Sequence, residues 1–513
     1  MSPPSTITRS LLIKLVGFVS LLGLPLAAGA TTRSCGDLAE MRTPHVSVML
    51  AQELTAGDFK APGASGRLTG LPPFCRVVVK MTPTADSVIG AEIWLPLNRW
   101  NQKLLAVGSG GWGGAIAYEA MADGLRRGYT ASATDDGHTD GGASFVLGHP
   151  EKLIDFAYRA EREMTLEAKR VVQALYGHLP THSYWSGCSG GGREGLLQAA
   201  RYPDEFDGVL AGDPANIRRN AWALSLAVKT FKDPVARIPP EKYAAIHQAV
   251  LNACDASDGL RDGLIEEPER CQVDFKTLEC KGADAPNCLT LPQVQSAQAL
   301  ISPLKSSTGE ILFPRLEPGT ELRWARLAGG PEPAALFLDE FRYVVYGKPD
   351  WDWRRFDVDR DAANAHAIDG RVDKFDADLS AFASRGGKLL IYHGWADQQV
   401  APGSSVEFYE AALRQSSARR TPSEWIRLFM APGMGHCGGG EGPDTFDGIG
   451  ALEQWVEKGH PPERIIASQI SMGQVQRTRP LCAYPEVARY DGQGSPDDAA
   501  SFHCRSPEPM RRH

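Results

Sequence analysis

From about Arg76 onward, β-rich runs alternate with helical ones, and this alternation restricts the chain to a sheet covered by helices. The β-rich runs are Arg76 to Met81, Ile89 to Leu95, Lys103 to Val107 and Tyr129 to Thr134, followed by an amphipathic stretch from Phe156 to Tyr176. Ser183 to Ser186 and Gly208 to Ala211 then bracket a helix-like segment, Gly192 to Tyr202. Strands joined by helical crossovers lie parallel, so the expected class is α/β with a mainly parallel, twisted sheet. Lys388 to Tyr392 and Glu424 to Met430 come much later, so the pattern is split in two. In between the texture changes, with four cysteines from Cys254 to Cys288, Pro-containing turns, and an aromatic run of Trp324, Phe337, Phe341, Tyr343, Tyr346, Trp351 and Trp353. A chain of 513 residues is too long for one compact core. We therefore divide it into a leader over 1–30, a first part of the core over 31–215, an inserted lid domain over 216–375 and a second part of the core over 376–513. Most of the aromatics are expected to form the insert's own core, and a few to face a pocket.

Arg9 and Lys14 precede an apolar run from Leu15 to Ala28 that ends in Ala28-Gly29-Ala30, the small-x-small form of a signal-peptidase site. The run is short for a spanning helix, so the mature chain is expected to start at Thr31, secreted or periplasmic, with no membrane anchor. Ten cysteines in an exported chain imply five disulfides. No CxxC pair occurs, which argues against a zinc site. A formal net charge of -8 argues against a nucleic-acid partner, because phosphate binding needs a basic face.

Gly187-Cys188-Ser189-Gly190-Gly191 satisfies GxSxG with a β run entering and a helix-like run leaving, the context of a nucleophile elbow. The competing reading is a glycine-rich turn with an incidental Ser. A Ser hydroxyl needs a His to take its proton, and the His needs a carboxylate to orient it. In the α/β-hydrolase fold these follow in the order Ser, Asp, His. Asp397 lies just past one late strand and His436 in a Gly-rich loop past the next, so order and placement both fit. Cys188 precedes Ser189 and Cys437 follows His436; if Oγ and imidazole meet, the two cysteines come within disulfide reach. For the oxyanion, Gly190 offers the amide after the nucleophile, and the loop in KLLAVGSGGWGG offers Gly110 or Gly111. The loop from Cys254 to Leu264 carries Asp255, Asp258 and Asp262, readable either as an oxygen cage for Ca²⁺ or as a solvated acidic turn.

These residues resemble the tannase and feruloyl esterase family, which also contains mono(2-hydroxyethyl) terephthalate hydrolases. The resemblance rests on Cys188-Ser189, Asp397 and His436-Cys437, and extends through GSGGWGG, ATDDGH, GCSGGGREG, CDASDGLRDGLI, HGWAD and GMGHC. It implies an α/β-hydrolase core, a large lid inserted between the Ser and the Asp, and a structural calcium in the lid. The ligands implied are Asp255, Asp258, Asp262 and the carbonyls of Leu260 and Leu264. The implied disulfides are Cys35–Cys75, Cys188–Cys437, Cys254–Cys271, Cys280–Cys288 and Cys482–Cys504.

The expected activity is that of a serine esterase acting on small esters of aromatic acids, of hydroxycinnamate or gallate type, including esters linked to plant polysaccharides or polyphenols. Hydrolysis of mono(2-hydroxyethyl) terephthalate is the alternative within the family, and a non-catalytic, calcium-dependent module binding an aromatic or glycan ligand is the alternative outside it. Candidate pocket residues are His393 and Trp395 beside the acid, Val400 where some relatives carry a bulkier residue, and Arg342 for a substrate carboxylate.

Overall fold

The structure is a computed structural model that describes residues 32–216, 218–230, 232–328, 332–372, 377–416, 421 and 424–507. The leader expected over 1–30 lies outside the described residues. Among the described residues the central sheet has ten strands. They are Arg42–Thr43 (β1), Val46–Leu54 (β2), Phe74–Met81 (β3), Ile89–Pro96 (β4), Lys103–Val107 (β5), Thr130–Thr134 (β6), His182–Cys188 (β7), Gly208–Gly212 (β8), Lys388–Gly394 (β9) and Ile426–Ala431 (β10). Their spatial order is β1-β2-β3-β4-β6-β5-β7-β8-β9-β10.

From β6 to β10 the neighbours are parallel, whereas β1 to β4 form an antiparallel meander that joins β6 antiparallel. The runs around Arg76 and Ile89, expected within βαβ units, thus form a hairpin instead. Only residues 82–88 separate them, too few for a helical crossover, which takes about a dozen residues or more.

Side-chain alternation sorts the strands between two buried layers. Trp185, Leu389 and Ile391 pack on one face with Met164, Ala168 and Val172 of the helix Ala160–Tyr176. Tyr184 and Leu390 pack on the other with Met121 and Leu125 of the helix Tyr118–Arg126 and with Leu452 and Trp455 of the helix Gly448–Lys458. Every residue of β6 and β8 is buried, as a parallel strand covered on both faces requires.

Between β8 and β9 lie the helices Arg218–Thr230, Tyr243–Cys254, Leu291–Leu300 and Val358–Val372, which share a separate core around Trp222, Phe275, Trp324, Phe337, Phe341 and Trp353. After β10, the hairpins Arg464–Ser471 with Gln474–Cys482 and Val487–Tyr490 with Phe502–Arg505 reach back to the insert, where Ala488 N–H donates to Glu266 and Arg479 pairs with Asp262. The cysteines form Cys35–Cys75, Cys188–Cys437, Cys254–Cys271, Cys280–Cys288 and Cys482–Cys504. No helix among the described residues is long and apolar enough to cross a membrane.

Candidate active site

Ser189 stands between the end of β7 and the helix Gly190–Arg201, with φ 61° and ψ -115°. A non-glycine residue in such a region costs on the order of 1–3 kcal/mol and persists only where its surroundings hold it. Here the Ser189 N–H donates to the Gly212 carbonyl (2.9 Å), while its own carbonyl accepts the N–H groups of Arg193 and Ala215 (3.0 Å each). The flanking glycines let strand and helix meet backbone to backbone. A Cβ on Gly187 would lie 2.5 Å from the Gly191 carbonyl carbon, and one on Gly192 would lie 2.3 Å from the Gly212 oxygen.

His436 Nε2 lies 2.8 Å from Ser189 Oγ, and His436 Nδ1 lies 2.7 Å from Asp397 Oδ2. The remaining oxygen of Asp397 accepts the N–H groups of Gln399 (2.6 Å) and Val400 (3.0 Å). Burial alone would raise the Asp397 carboxyl, but the His436 charge and the hydrogen bonds from His393 and His436 outweigh it and hold the group well below the usual carboxylate range. An ionised Asp397 fixes the tautomer of His436 with the proton on Nδ1, leaving Nε2 free to accept from Ser189. Cys188 and Cys437, each next to one of these residues, are bridged with their Cα atoms 5.9 Å apart.

The amides of Gly190, Gly110 and Gly111 engage no hydrogen-bond acceptor among the described residues. The Gly111 nitrogen lies 3.3 Å from a Cβ built on Gly190, so these two amides are neighbours. Gly111, Trp112, Phe156, Gly190, Ala215 and Asn220 line a cleft that adjoins Ser189.

Three of the four candidate pocket residues turn into the core. His393 and Val400 are fully buried and Trp395 nearly so. His393 Nδ1 meets Ser405 Oγ (2.7 Å), and its Nε2 lies 3.1 Å from Asp397 Oδ2 and 3.2 Å from the Val400 carbonyl, so His393 backs the acid rather than facing a ligand. Trp395 packs in the core with Met430 and Leu428. Nearness to Asp397 in sequence suggested a pocket, but β9 ends at Gly394 and the chain turns these side chains inward. Arg342 sits on the π-helical segment Glu340–Val345 beside Asp339, outside the residues that line the cleft.

Asp213 went unread in the sequence and is fully buried under this site. Its Oδ1 accepts the Gly394 N–H (2.9 Å) and lies 3.5 Å from His393 Nε2, and its Oδ2 accepts the Cys437 N–H (3.0 Å). Burial raises its carboxyl, opposed by the His393 charge. Burial would lower His393, but Asp213 and Asp397 on either side raise it.

In the acidic loop, both oxygens of Asp255 accept amides, from Asp262 and Gly263 (3.2 Å each), while Asp258 Oδ1 accepts the Leu260 N–H (2.9 Å). Asp262 Oδ1 accepts the Leu264 N–H (3.2 Å), and its other oxygen pairs with Arg479. Burial, with the Asp262 and Asp255 charges adding to it, pushes the Asp258 carboxyl up to about 6. A donor set of carboxylates and main-chain carbonyls is of the kind that suits a hard ion such as Ca²⁺.

A family model described as tannase and feruloyl esterase matches residues 75–329 and 335–505. An uncharacterized esterase of Xanthomonas campestris pv. campestris is 36% identical over 95% of this chain and 93% of its own. A probable feruloyl esterase B-2 of Aspergillus terreus is 34% identical over 84% of this chain and 86% of its own. The crystal structure of feruloyl esterase B from Aspergillus oryzae superposes with a TM-score of 0.87 at 30% identity, covering 92% of this chain and 99% of that one. Tannin acyl hydrolase from Aspergillus niger shares the fold, with a TM-score of 0.75 at 22% identity over 90% of this chain and 92% of its own. The ten-stranded α/β-hydrolase architecture and these matches together establish that the chain belongs to the tannase and feruloyl esterase family and is a carboxylic ester hydrolase.

Proposed function

We propose that this chain is a secreted serine esterase that hydrolyses esters of aromatic acids, of the hydroxycinnamate or gallate type, through a covalent acyl-enzyme. The observation that carries this reading is the unbroken line of hydrogen bonds from Ser189 through His436 to Asp397, set on a strained strand-to-helix turn. Ser189 Oγ attacks the ester carbonyl carbon while His436 Nε2 takes its proton. Collapse of the tetrahedral adduct expels the alcohol, which receives that proton from His436. Water, deprotonated in turn by His436, attacks the acyl-enzyme, releases the acid and restores Ser189. Asp397 holds the imidazole and stabilises its charged form.

The charge that develops on the carbonyl oxygen meets the Gly190 N–H and, of the two loop amides, that of Gly111, which lies beside it. One such donor is worth about 100- to 1,000-fold in rate. Trp112 and Phe156 give the cleft an aromatic wall, and the Aspergillus terreus and Aspergillus oryzae relatives carry the name feruloyl esterase; both support an aromatic acyl group, which in this reading is borne on plant polysaccharide or polyphenol. Asp255, Asp258 and Asp262, with the carbonyls of Leu260 and Leu264, would hold a Ca²⁺ whose role is to fix the insert against the C-terminal hairpins. The leader over 1–30 would carry the chain out of the cytoplasm.

Ser189→Ala should abolish hydrolysis of methyl ferulate, methyl gallate and p-nitrophenyl esters and leave the melting temperature nearly unchanged; surviving activity would exclude Ser189 as the nucleophile. A fluorophosphonate probe should label Ser189, which a binding module would leave untouched. On a panel that adds the mono- and bis-hydroxyethyl terephthalates, kcat/KM should be highest for ferulate or gallate, and a preference for the terephthalate monoester would reassign the substrate.

A further inference from the structure

Behind the glycine loop, Asp136, Glu161 and Glu194 come together with 0%, 0% and 1% of their surface exposed. Asp136 follows β6, Glu161 belongs to the helix Ala160–Tyr176 and Glu194 to the helix after the nucleophile. Arg193 approaches the cluster, with Nη2 3.9 Å from Glu194 Oε1. Three buried carboxylates beside one guanidinium cannot all be ionised without a large desolvation cost.

Ser109 shows where a proton resides. Its Oγ lies 2.5 Å from Asp136 Oδ2 and 2.7 Å from Glu194 Oε1. A hydroxyl has one proton and cannot donate to both. Were both carboxyls ionised, one contact would set an oxygen lone pair against a buried carboxylate, so one of the two is the neutral acid. Glu194 also accepts the Ser109 N–H on Oε2 (3.0 Å) and so gathers two donors from one residue, as a carboxylate does. Among the described residues the Asp136 carboxyl has no other partner, and its Oδ1 has none. An orphaned oxygen costs far less on a neutral acid than on an ion. Burial first, and the Glu194 charge next, push the Asp136 carboxyl well up, with Asp135 adding to them; the Ser109 hydrogen bond and the Arg193 charge act against them without reversing the shift.

We propose that Asp136 is held as the neutral acid and donates to Ser109 Oγ, which donates on to Glu194, making Asp136 and Glu194 positioning residues for the Gly110 and Gly111 amides. The proposal rests on the reading of that loop as an oxyanion donor. The chain is held on both sides of these glycines. On one side the Ser109 carbonyl accepts the Gly191 N–H (2.7 Å), and on the other a Cβ on Gly113 would lie 2.1 Å from Asp136 Oδ2. Between them, His138 Nε2 lies 2.6 Å from the Trp112 carbonyl.

Two isosteric amides test the direction of the proton. Asp136→Asn keeps a donor facing Ser109 and should retain kcat within about threefold, whereas Glu194→Gln sets an amide NH₂ against one of the two Ser109 donors and should lower kcat about 10- to 100-fold with KM little changed. Asp136→Ala, which removes the donor, should resemble Glu194→Gln. In the infrared spectrum of the Ser189→Ala protein, the C=O band of neutral carboxylic acid should weaken on Asp136→Asn and persist on Glu194→Gln.

The reversed pattern, in kinetics or in the spectrum, overturns the assignment, and wild-type kcat in all three variants overturns the positioning role. Should Glu194→Gln fail to fold, Asp136→Asn and its infrared band decide alone. The infrared arm needs no turnover, so it still reads the proton if the wild-type chain hydrolyses none of the esters and the esterase reading itself fails.

Discussion

Cys188–Cys437 joins residues 249 positions apart at the nucleophile and the base, whereas Cys254–Cys271 and Cys280–Cys288 close spans of 17 and 8 within the insert. By chain entropy alone these bridges are worth about 5, 3 and 2.5 kcal/mol, a spread of only about twofold. Their surroundings differ far more. The long bridge adjoins a strained serine, a fully buried Asp397 and a fully buried Asp213 whose oxygen accepts the Cys437 amide, so a displacement there moves reacting atoms. The short bridges shape a loop-rich region joined to the C-terminal hairpins through Asp262, Glu266 and Glu267, where the same displacement alters only packing. Covalent constraint serves registration in one region and cohesion in the other.

The most direct way to break this contrast is to replace Cys188 and Cys437 with alanine. We expect kcat to fall on the order of 100-fold, since small misplacements of a catalytic group have that effect, while stability drops by less than the ~5 kcal/mol of the entropy model because four bridges remain. A double variant with wild-type kcat would falsify the clamp. Next in size is Asp213→Ala, which leaves the Gly394 and Cys437 amides without their acceptor at about 1–3 kcal/mol each and should lower kcat about tenfold. Steady-state kinetics beside a melting curve would separate the two effects; a melting shift with kcat intact would confine Asp213 to packing.

Chelation should do the reverse in the insert. Removing a ligand present at 100 times its Kd costs about 2.7 kcal/mol, so EGTA should lower the melting temperature by several degrees and change kcat at 25 °C less than about twofold. Dialysed protein without calcium by elemental analysis, and with an unmoved melting curve in EGTA, would remove the ion. The smallest effect is expected for Cys280 and Cys288 replaced together, at most about 2.5 kcal/mol in calorimetry with no change in kcat. A fall in activity there would show that this short bridge, too, bears on the chemistry.

What the sequence disclosed follows from the range of each interaction. The elbow at Ser189 and the strand-then-loop placement of Asp397 and His436 are local patterns, written in a few consecutive residues and legible one at a time. Asp213 is not local. Its two amide partners, at Gly394 and Cys437, lie 181 and 224 residues away, and nothing next to it in the chain announces them. His393, Trp395 and Val400 were misplaced for the converse reason, because adjacency along the chain to Asp397 says nothing of which way a side chain turns at the end of a buried strand. The antiparallel start of the sheet was, by contrast, available in the short spacing between Met81 and Ile89.

The contact between β7 and the helix that follows it bears on which substitutions the protein can accept. Side chains at Gly187 and Gly192 would run into backbone at 2.5 and 2.3 Å, and one at Gly108 would meet the Gly191 Cα at 2.5 Å, obstacles that no rotamer can avoid. A saturation library should therefore find these three positions closed to every other residue. Trp112 and Leu336, the latter with its side chain over Gly111, should accept replacements that retune the preferred ester. Redesign of this enzyme has a fixed floor and an adjustable rim, and the boundary between them runs through one glycine loop.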